Sequence, residues 1–300
     1  MSDDLLLNVY LHPPILQTAL AGKSGFVNRV CAVLEPRGWR IRIQPSGEEA
    51  RALAPDRPGH ALFHMERPTH DRALTFRRAY HYPYWRLEQV AERWRWPIAR
   101  ASFDPDRIEA DAARKFAQRL RDRVLPGPPP VRGDHVLIPL QGHLRKRRSF
   151  QAASPVQMIR QVAETGRPCI ATLHPKESYD DKDRAALMRL SDRFSNLTIG
   201  GDTMARLRDC AFVVTQNSAV GFDALILGKP VVLFAQSDFH HVTLNVAQVG
   251  ARVALEGAAV HAPPGDRFLD WFLRRTSLDM MAPDADQRLL AAMKKGGWPV

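Results

Sequence analysis

An alternation of strand and helix signals, following a run of prolines, narrows the folds open to this chain more than anything else in it. Pro126-Gly127-Pro128-Pro129-Pro130 cannot continue a helix or lie in a central strand, so it reads as a linker. Beyond it, short apolar runs at Val136–Leu140, Cys169–Leu173, Leu197–Ile199, Phe212–Thr215 and Pro230–Phe234 read as strands. Between them, Pro155–Glu164, Asp181–Phe194, Thr203–Cys210 and Val220–Leu227 carry helical spacing. Strands that alternate with helices are joined by crossovers, and crossovers build parallel sheets. A doubly wound parallel α/β domain is expected here.

The residues ahead of the linker carry a weaker version of the same pattern. Leu5–Leu11 reads as a buried strand that His12-Pro13-Pro14 breaks. Gly22-Lys23-Ser24-Gly25 leads into a helix over Phe26–Leu34, closed by Pro36 and Gly38. Arg40–Ile43 and His60–Met65 are further strands, the second running into Glu66, Arg67 and His70. Residues 72–98 mix arginine with Tyr80, Tyr82, Tyr84, Trp85, Trp94 and Trp96; most of these rings are expected to pack a helix onto the sheet. Ala110–Leu125 is a charged amphipathic helix. A chain of 300 residues has room for about two domains. We expect an α/β domain over 1–130, a second over 131–265, and added helices over 266–300, at Asp266–Arg275 and Asp284–Lys295. Two domains on a proline-rich hinge imply a cleft between them.

Composition removes several classes. No uncharged apolar stretch reaches the length of about 18 residues that a spanning helix needs. The acidic start, Met1-Ser2-Asp3-Asp4, does not read as a secretory signal. Three cysteines, Cys31, Cys169 and Cys210, have no CxxC spacing and read as buried small hydrophobes, so a cytoplasmic location is expected. Net charge is +11, with 21 Lys/Arg against 15 Asp/Glu up to residue 130 and 22 against 17 after it. Charge spread this evenly favours anionic ligands in general, such as phosphates, acidic glycans or a membrane surface. No nucleic-acid module is visible, and none is expected as a partner.

Open parallel sheets bind ligands at the carboxyl ends of their strands. Three strand ends after the linker carry polar clusters. They are Gln141-Gly142-His143 with the basic run Arg145–Arg148, then His174-Pro175-Lys176-Glu177, then Gln216-Asn217-Ser218 running to Gly221 and Asp223. Ser218 precedes a helix, where free backbone N–H groups and the dipole favour an anion; capping that helix is an equal reading. His174 is a stiff imidazole able to donate to a departing phosphate. For at least two residues of the basic run, a solvated loop is the preferred reading.

These residues carry a resemblance. Leu173-His174-Pro175-Lys176-Glu177, then Val213–Leu225 with Gln216-Asn217-Ser218 and Phe222-Asp223, then Gly228-Lys229-Pro230-Val231-Val232 resemble bacterial capsular polysaccharide synthesis proteins, the group that includes β-Kdo transferases. The match spans roughly residues 135–242, with a looser echo at Pro83–Glu88. The resemblance implies a GT-B-like glycosyltransferase with two Rossmann-like domains and a CMP-activated acidic sugar such as Kdo as donor. It implies a glycan or glycolipid acceptor and peripheral association with the inner membrane. No DxD-like pair stands at a strand end, Asp180-Asp181 reading as a helix start, so no metal or further cofactor is expected. Carried over, His174 stabilises the leaving phosphate, Ser218 binds it, Gln141, Gln216 and Asn217 position the donor, and Arg145, Lys176 and Gly221 belong to the same site. Asp223 stands where many such enzymes carry a ribose-binding Glu. Ser24 and Gly25 lie in the first loop on the acceptor side.

The first domain shows no clear catalytic carboxylate. Glu66, just beyond a strand, is the candidate, set against a salt bridge to Arg67 or Arg72. Adjacent His240 and His241 are expected to point apart and share no metal. Gly22-Lys23-Ser24 lacks the glycines of a P-loop. Two alternatives stay open. One is a glycerophosphotransferase using CDP-glycerol, like teichoic-acid polymerases that share the His-Pro and Ser…Phe-Asp pattern. The other is a non-catalytic nucleotide- or glycan-binding protein on the same scaffold.

Overall fold

A computed structural model describes residues 5–300; the acidic start at 1–4 lies outside the described residues. The chain forms two compact units. One contains the described residues up to Arg100 together with Phe272–Val300; the other is Ala101–Trp271. Each holds a six-stranded sheet, so the expected α/β architecture of two mostly parallel, Rossmann-like sheets is present.

In the first unit β1 (Leu6–Leu11), β2 (Arg40–Pro45), β3 (His60–His64) and β4 (Ala73–Arg78) run parallel in the order β2-β1-β3-β4. β5 (Tyr84–Glu88) then pairs antiparallel with β4, and a two-residue strand, Leu278–Asp279, pairs antiparallel with β5. Strands joined by a turn as short as 79–83 can only be antiparallel. Residues 73–88 are thus a hairpin, and its rings Phe76 and Trp85 pack the helix Gly25–Leu34 onto the sheet, as expected of such rings. Its inward rings join the core: Trp85 lies 4.9 Å and Phe76 4.7 Å from Phe26, centroid to centroid. β1 is buried along its whole length, as a strand paired on both sides in a sheet covered on both faces must be. The C-terminal helix Ala285–Lys295 buries Leu289 and Met293 in this core, and Arg29 donates to Asp286 at 2.6 Å.

The second unit holds β6 (Val136–Pro139), β7 (Cys169–Thr172), β8 (Leu197–Ile199), β9 (Phe212–Thr215), β10 (Val231–Leu233) and β11 (Leu244–Asn245). All are parallel, in the order β8-β7-β6-β9-β10-β11. Chain order therefore reads 3-2-1-4-5-6 across the sheet, the doubly wound arrangement of dinucleotide-binding folds. The helices lie where the sequence places them. Ser154 and Gln157 close a capping box on the helix Pro155–Ala163, and Asp180 caps Asp181–Arg193.

The boundary between the units falls near residue 100, whereas the proline run suggests 130. The helix Ala110–Val124 packs within the second unit, where Arg121 donates to the Ile226 carbonyl at 2.9 Å. The prolines themselves are tied down there. Arg208 donates to the carbonyls of Leu125, Pro126 and Pro128 at 2.7–2.8 Å, and the buried Lys229 ammonium donates to the carbonyls of Val131 and Cys210. A proline-rich segment exposes carbonyls that no N–H of its own satisfies, and basic side chains satisfy them here. Likewise, the tail divides at residue 271 instead of forming one appendage.

Candidate functional site

In the second sheet the strand order reverses between β6 and β9, and the crevice outside their carboxyl ends is where such sheets hold ligands. Gln141 and Gly142 follow β6, Gln216–Ser218 follow β9, and His174 follows the neighbouring β7. The sheet thus gathers all three predicted clusters on one edge.

His174 is held by its own turn. Its backbone N–H donates to the Tyr179 hydroxyl at 2.8 Å, and its Nδ1 accepts from the Lys176 backbone N–H at 3.1 Å. In the neutral ring the proton then resides on Nε2, which is left as a donor. Ser218 caps the helix Ala219–Ile226, its Oγ accepting from the Val220 N–H at 3.3 Å. The hydroxyl proton stays available, and the first-turn N–H groups favour an anion. Capping and ligand binding are compatible roles for this residue.

The neighbouring amide side chains are built into the edge. Gln216 is buried and donates to the Ala153 carbonyl at 3.0 Å, while Asn217 donates to the Gln236 carbonyl at 3.2 Å. The Oε1 atoms of Gln141 and Gln216 and the Nε2 of Gln151 are buried without a protein partner. Buried polar atoms nearly always find one, so these three atoms stand out among the residues that follow the strands. Gln151 has no sequence signal of its own, because it sits in a loop that reads as filler.

The basic run divides by role. Arg145 donates to Asp183 at 2.9 Å and to Asp180 at 3.0 Å, which raises its guanidinium further and fixes it to a helix start. Arg147 donates to the Gln151 carbonyl. Arg148 is half-buried and lies 4.8 Å over the Phe150 ring, with its Nε unpartnered. A stacked guanidinium with an unused N–H suits an anion better than the paired Arg145 does. Lys176 is exposed beside His174. Gly221 serves packing: a β-carbon there would press on Thr215 and Phe239 at 3.1–3.2 Å. Asp223 is half-buried on the same helix.

The first sheet has its own reversal, between β1 and β3, and its strand ends are equally polar. Met65 adopts φ +62°, a conformation costly for a side-chain-bearing residue, and the next residue is Glu66. Glu66 is 16% exposed, and Arg67 and Arg72, the partners that sequence proximity suggests, are not the ones it meets. It accepts from Ser46 Oγ, lies 3.5 Å from His12 Nε2 and 3.8 Å from Arg51. The cause is topological: His12, Ser46 and Glu66 follow β1, β2 and β3, which are adjacent. In the sequence His12 reads only as part of a strand breaker; its position after a central strand is the signal that could have found it. His64, at the end of β3, is driven down to about 4, first by burial and then by His12, Arg77 and Arg78. Ser24 caps the helix Gly25–Leu34, and the Tyr82 ring lies against Gly25.

Other expectations resolve simply. Cys169 and Cys210 are buried and Cys31 half-buried; burial pushes the thiols up to about 11, 12 and 11 respectively. His240 and His241 do not point apart. Their rings stack at 4.4 Å, because each is held by a different carbonyl, Ser237 and Ala101. Among the described residues no helix is long and apolar enough to cross a membrane.

No family model matches the sequence, and no curated protein matches it. Solved structures do. KpsC of Thermosulfurimonas dismutans, a β-Kdo 2,7 transferase, aligns over 80% of this chain and 83% of its own at 14% identity and a TM-score of 0.48. UDP-GlcNAc 2-epimerase from Neisseria meningitidis aligns over 97% and 99% at 10% identity and 0.38. The wall teichoic acid polymerase TagF aligns over 98% and 89% at 9% identity and 0.31.

Proposed function

We propose that this chain is a glycosyltransferase of surface-polysaccharide synthesis that takes a CMP-activated acidic sugar, Kdo-like, as donor. The observation that carries the reading is the β6/β9 strand edge. A donor tautomer of His174, the Ser218 helix start and unpartnered glutamine atoms converge at the crevice where a doubly wound sheet binds nucleotides. The phosphate lies against Ser218 and the first-turn N–H groups. His174 Nε2–H donates to the phosphate oxygen that leaves the sugar, and Arg148 and Lys176 offset its charge. The order of motifs over 135–242, which resembles the capsule transferases, supports a CMP-linked acidic sugar within this chemistry.

Calorimetric titration with CMP, CDP and UDP tests the reading. CMP is expected to bind best. His174→Ala and Ser218→Ala are each expected to weaken it about ten-fold or more, about 1.4 kcal/mol. A preference for CDP with turnover of CDP-glycerol would instead favour the glycerophosphotransferase. Binding without turnover of any donor would favour the non-catalytic protein. No binding by the folded chain would remove the nucleotide site.

A further inference from the structure

The amino ends of β9 and β10, the edge of the second sheet opposite to the candidate site, open on a groove of about 600 Å³. That is the size of a small-ligand site. Its walls come from the start of the helix Ala110–Val124, the residues after the proline run, the turn before β10 and the segment 259–267, all within the second unit. Four cations, Arg114, Arg132, Lys229 and Arg267, line it against one acid, Asp266. Lys229 is only 6% exposed. Its ammonium carries three N–H donors, of which two go to the carbonyls of Val131 and Cys210. Both partners are neutral, and burial holds the ammonium below the ordinary lysine range, so an anion beside it is favoured. Arg114 pairs with Asp111 at 3.0 Å and Arg267 with Asp106 at 3.3 Å, but Arg114 is 69% and Asp106 90% exposed, and pairs that open to water hold a guanidinium weakly.

Much of the remaining lining is aliphatic. Leu225, Leu227, Pro230 and Pro263 contribute to the wall, and Val131 and Val260 stand 62% and 82% exposed in it. Covering such valines with another apolar group is favourable. No Phe, Tyr or Trp stands among the described residues that line the groove. Nucleobases are held by stacking on such rings, so this groove suits an aliphatic chain better than a nucleotide. The cations suit an anionic head on that chain. From this geometry we propose that the groove binds an anionic aliphatic amphiphile, its phosphate head against Lys229 and the arginines and its chain along the aliphatic wall. The site lies on the opposite edge of the sheet from Ser218 and does not depend on the transferase reading.

The test is calorimetry on the full chain with octyl phosphate below its micelle concentration, beside inorganic phosphate and 1-octanol. Octyl phosphate is expected to bind more tightly than either fragment. Arg132→Gln and Arg267→Gln should each weaken it about three- to five-fold, the range of one exposed ionic contact. Lys229→Gln, which keeps donors for the two carbonyls and loses the charge, should weaken it more. Val260→Asp sets a like charge in the wall and should also weaken it, whereas Asp266→Asn should tighten it. If Lys229→Gln does not fold by circular dichroism, the variants at the exposed positions carry the test. Octyl phosphate binding no better than inorganic phosphate overturns the proposal, as does unchanged affinity in the arginine and Val260 variants. Displacement of octyl phosphate by CMP, or its loss in Ser218→Ala, would place the ligand at the β6/β9 edge and overturns the proposal too. Sedimentation with phosphatidylglycerol vesicles, reversed by octyl phosphate, would support the site with a bilayer lipid as its source. Octyl phosphate binding without sedimentation would support it with a free ligand as its source.

Discussion

His12 and His174 end strands of two different sheets in the same dipeptide, His-Pro, and are held in opposite ways. His174 is pinned by backbone: Lys176 donates to Nδ1 and leaves Nε2–H as a donor. His12 is pinned by a carboxylate: Glu66 faces Nε2 and leaves Nδ1 as an acceptor. The residue type and its place after a strand are shared; which nitrogen is left over sets whether the ring gives a proton or takes one. The surroundings differ in the same sense. The second sheet is wholly parallel and carries His174 on the same edge as a helix start that favours anions, two strands away, whereas the first sheet holds an acid beside its histidine.

The strongest challenge to this contrast comes from the cores. Each unit carries its own hydrophobic cluster. Phe26→Ala, which removes the ring stacked on Phe76 and tilted against Trp85, is expected to cost about 3–5 kcal/mol. Below the melting transition it should leave CMP affinity within two-fold of wild type. Chemical denaturation beside calorimetry reads both, and a matching loss of affinity would mean that the second unit depends on the first core.

Acid separates the two sheets by an intermediate amount. His64 sits near 4 in the folded chain against 6.5 when free, so the unfolded state binds the extra proton first. Its contribution is complete above pH 6.5 and is lost as pH falls toward 4, up to about 3 kcal/mol. Urea midpoints at pH 7 and pH 4.5 should therefore differ more in wild type than in His64→Leu. An equal difference in both would place the acid sensitivity elsewhere.

The smallest effects distinguish the two arginines of the basic run. Arg148→Ala is expected to weaken CMP several-fold, more so at low salt. Arg145→Ala should lower the melting temperature slightly and leave CMP affinity unchanged, because Asp180 and Asp183 already hold that guanidinium. The reverse order would put Arg145 in the site.

Much of this molecule is legible in its residues alone. The strands β6 to β10 and the helices between them match their sequence signals to within a residue or two, because buried parallel strands and amphipathic helices write strong local patterns. His174, Gln216 and Ser218 are legible for the same reason, since a polar residue after a buried strand stands out. The hairpin at 73–88 is not, because the pairing of β4 with β5 and their packing on Phe26 outweigh the local mixture of arginine and aromatic residues. The strands at Leu244–Asn245 and Leu278–Asp279 are too short to show any period. Nor is the boundary near residue 100 legible, as the proline run is tied to the second unit by Arg208 reaching back to the carbonyls of Leu125, Pro126 and Pro128 and by Lys229 reaching that of Val131, from about 80 to 100 residues away in sequence.

Hydrophobic periodicity and chain punctuation are thus enough to specify the α/β class, the parallel second sheet and the polar residues at its strand ends. Which of those residues meet is settled by packing. His12, Ser46 and Glu66 are separated by 34 and 20 residues and become neighbours because β2, β1 and β3 are adjacent. Strand order is fixed by how helices cover the two faces of a sheet, and that is a property of the packed chain, with no local signature in any one segment.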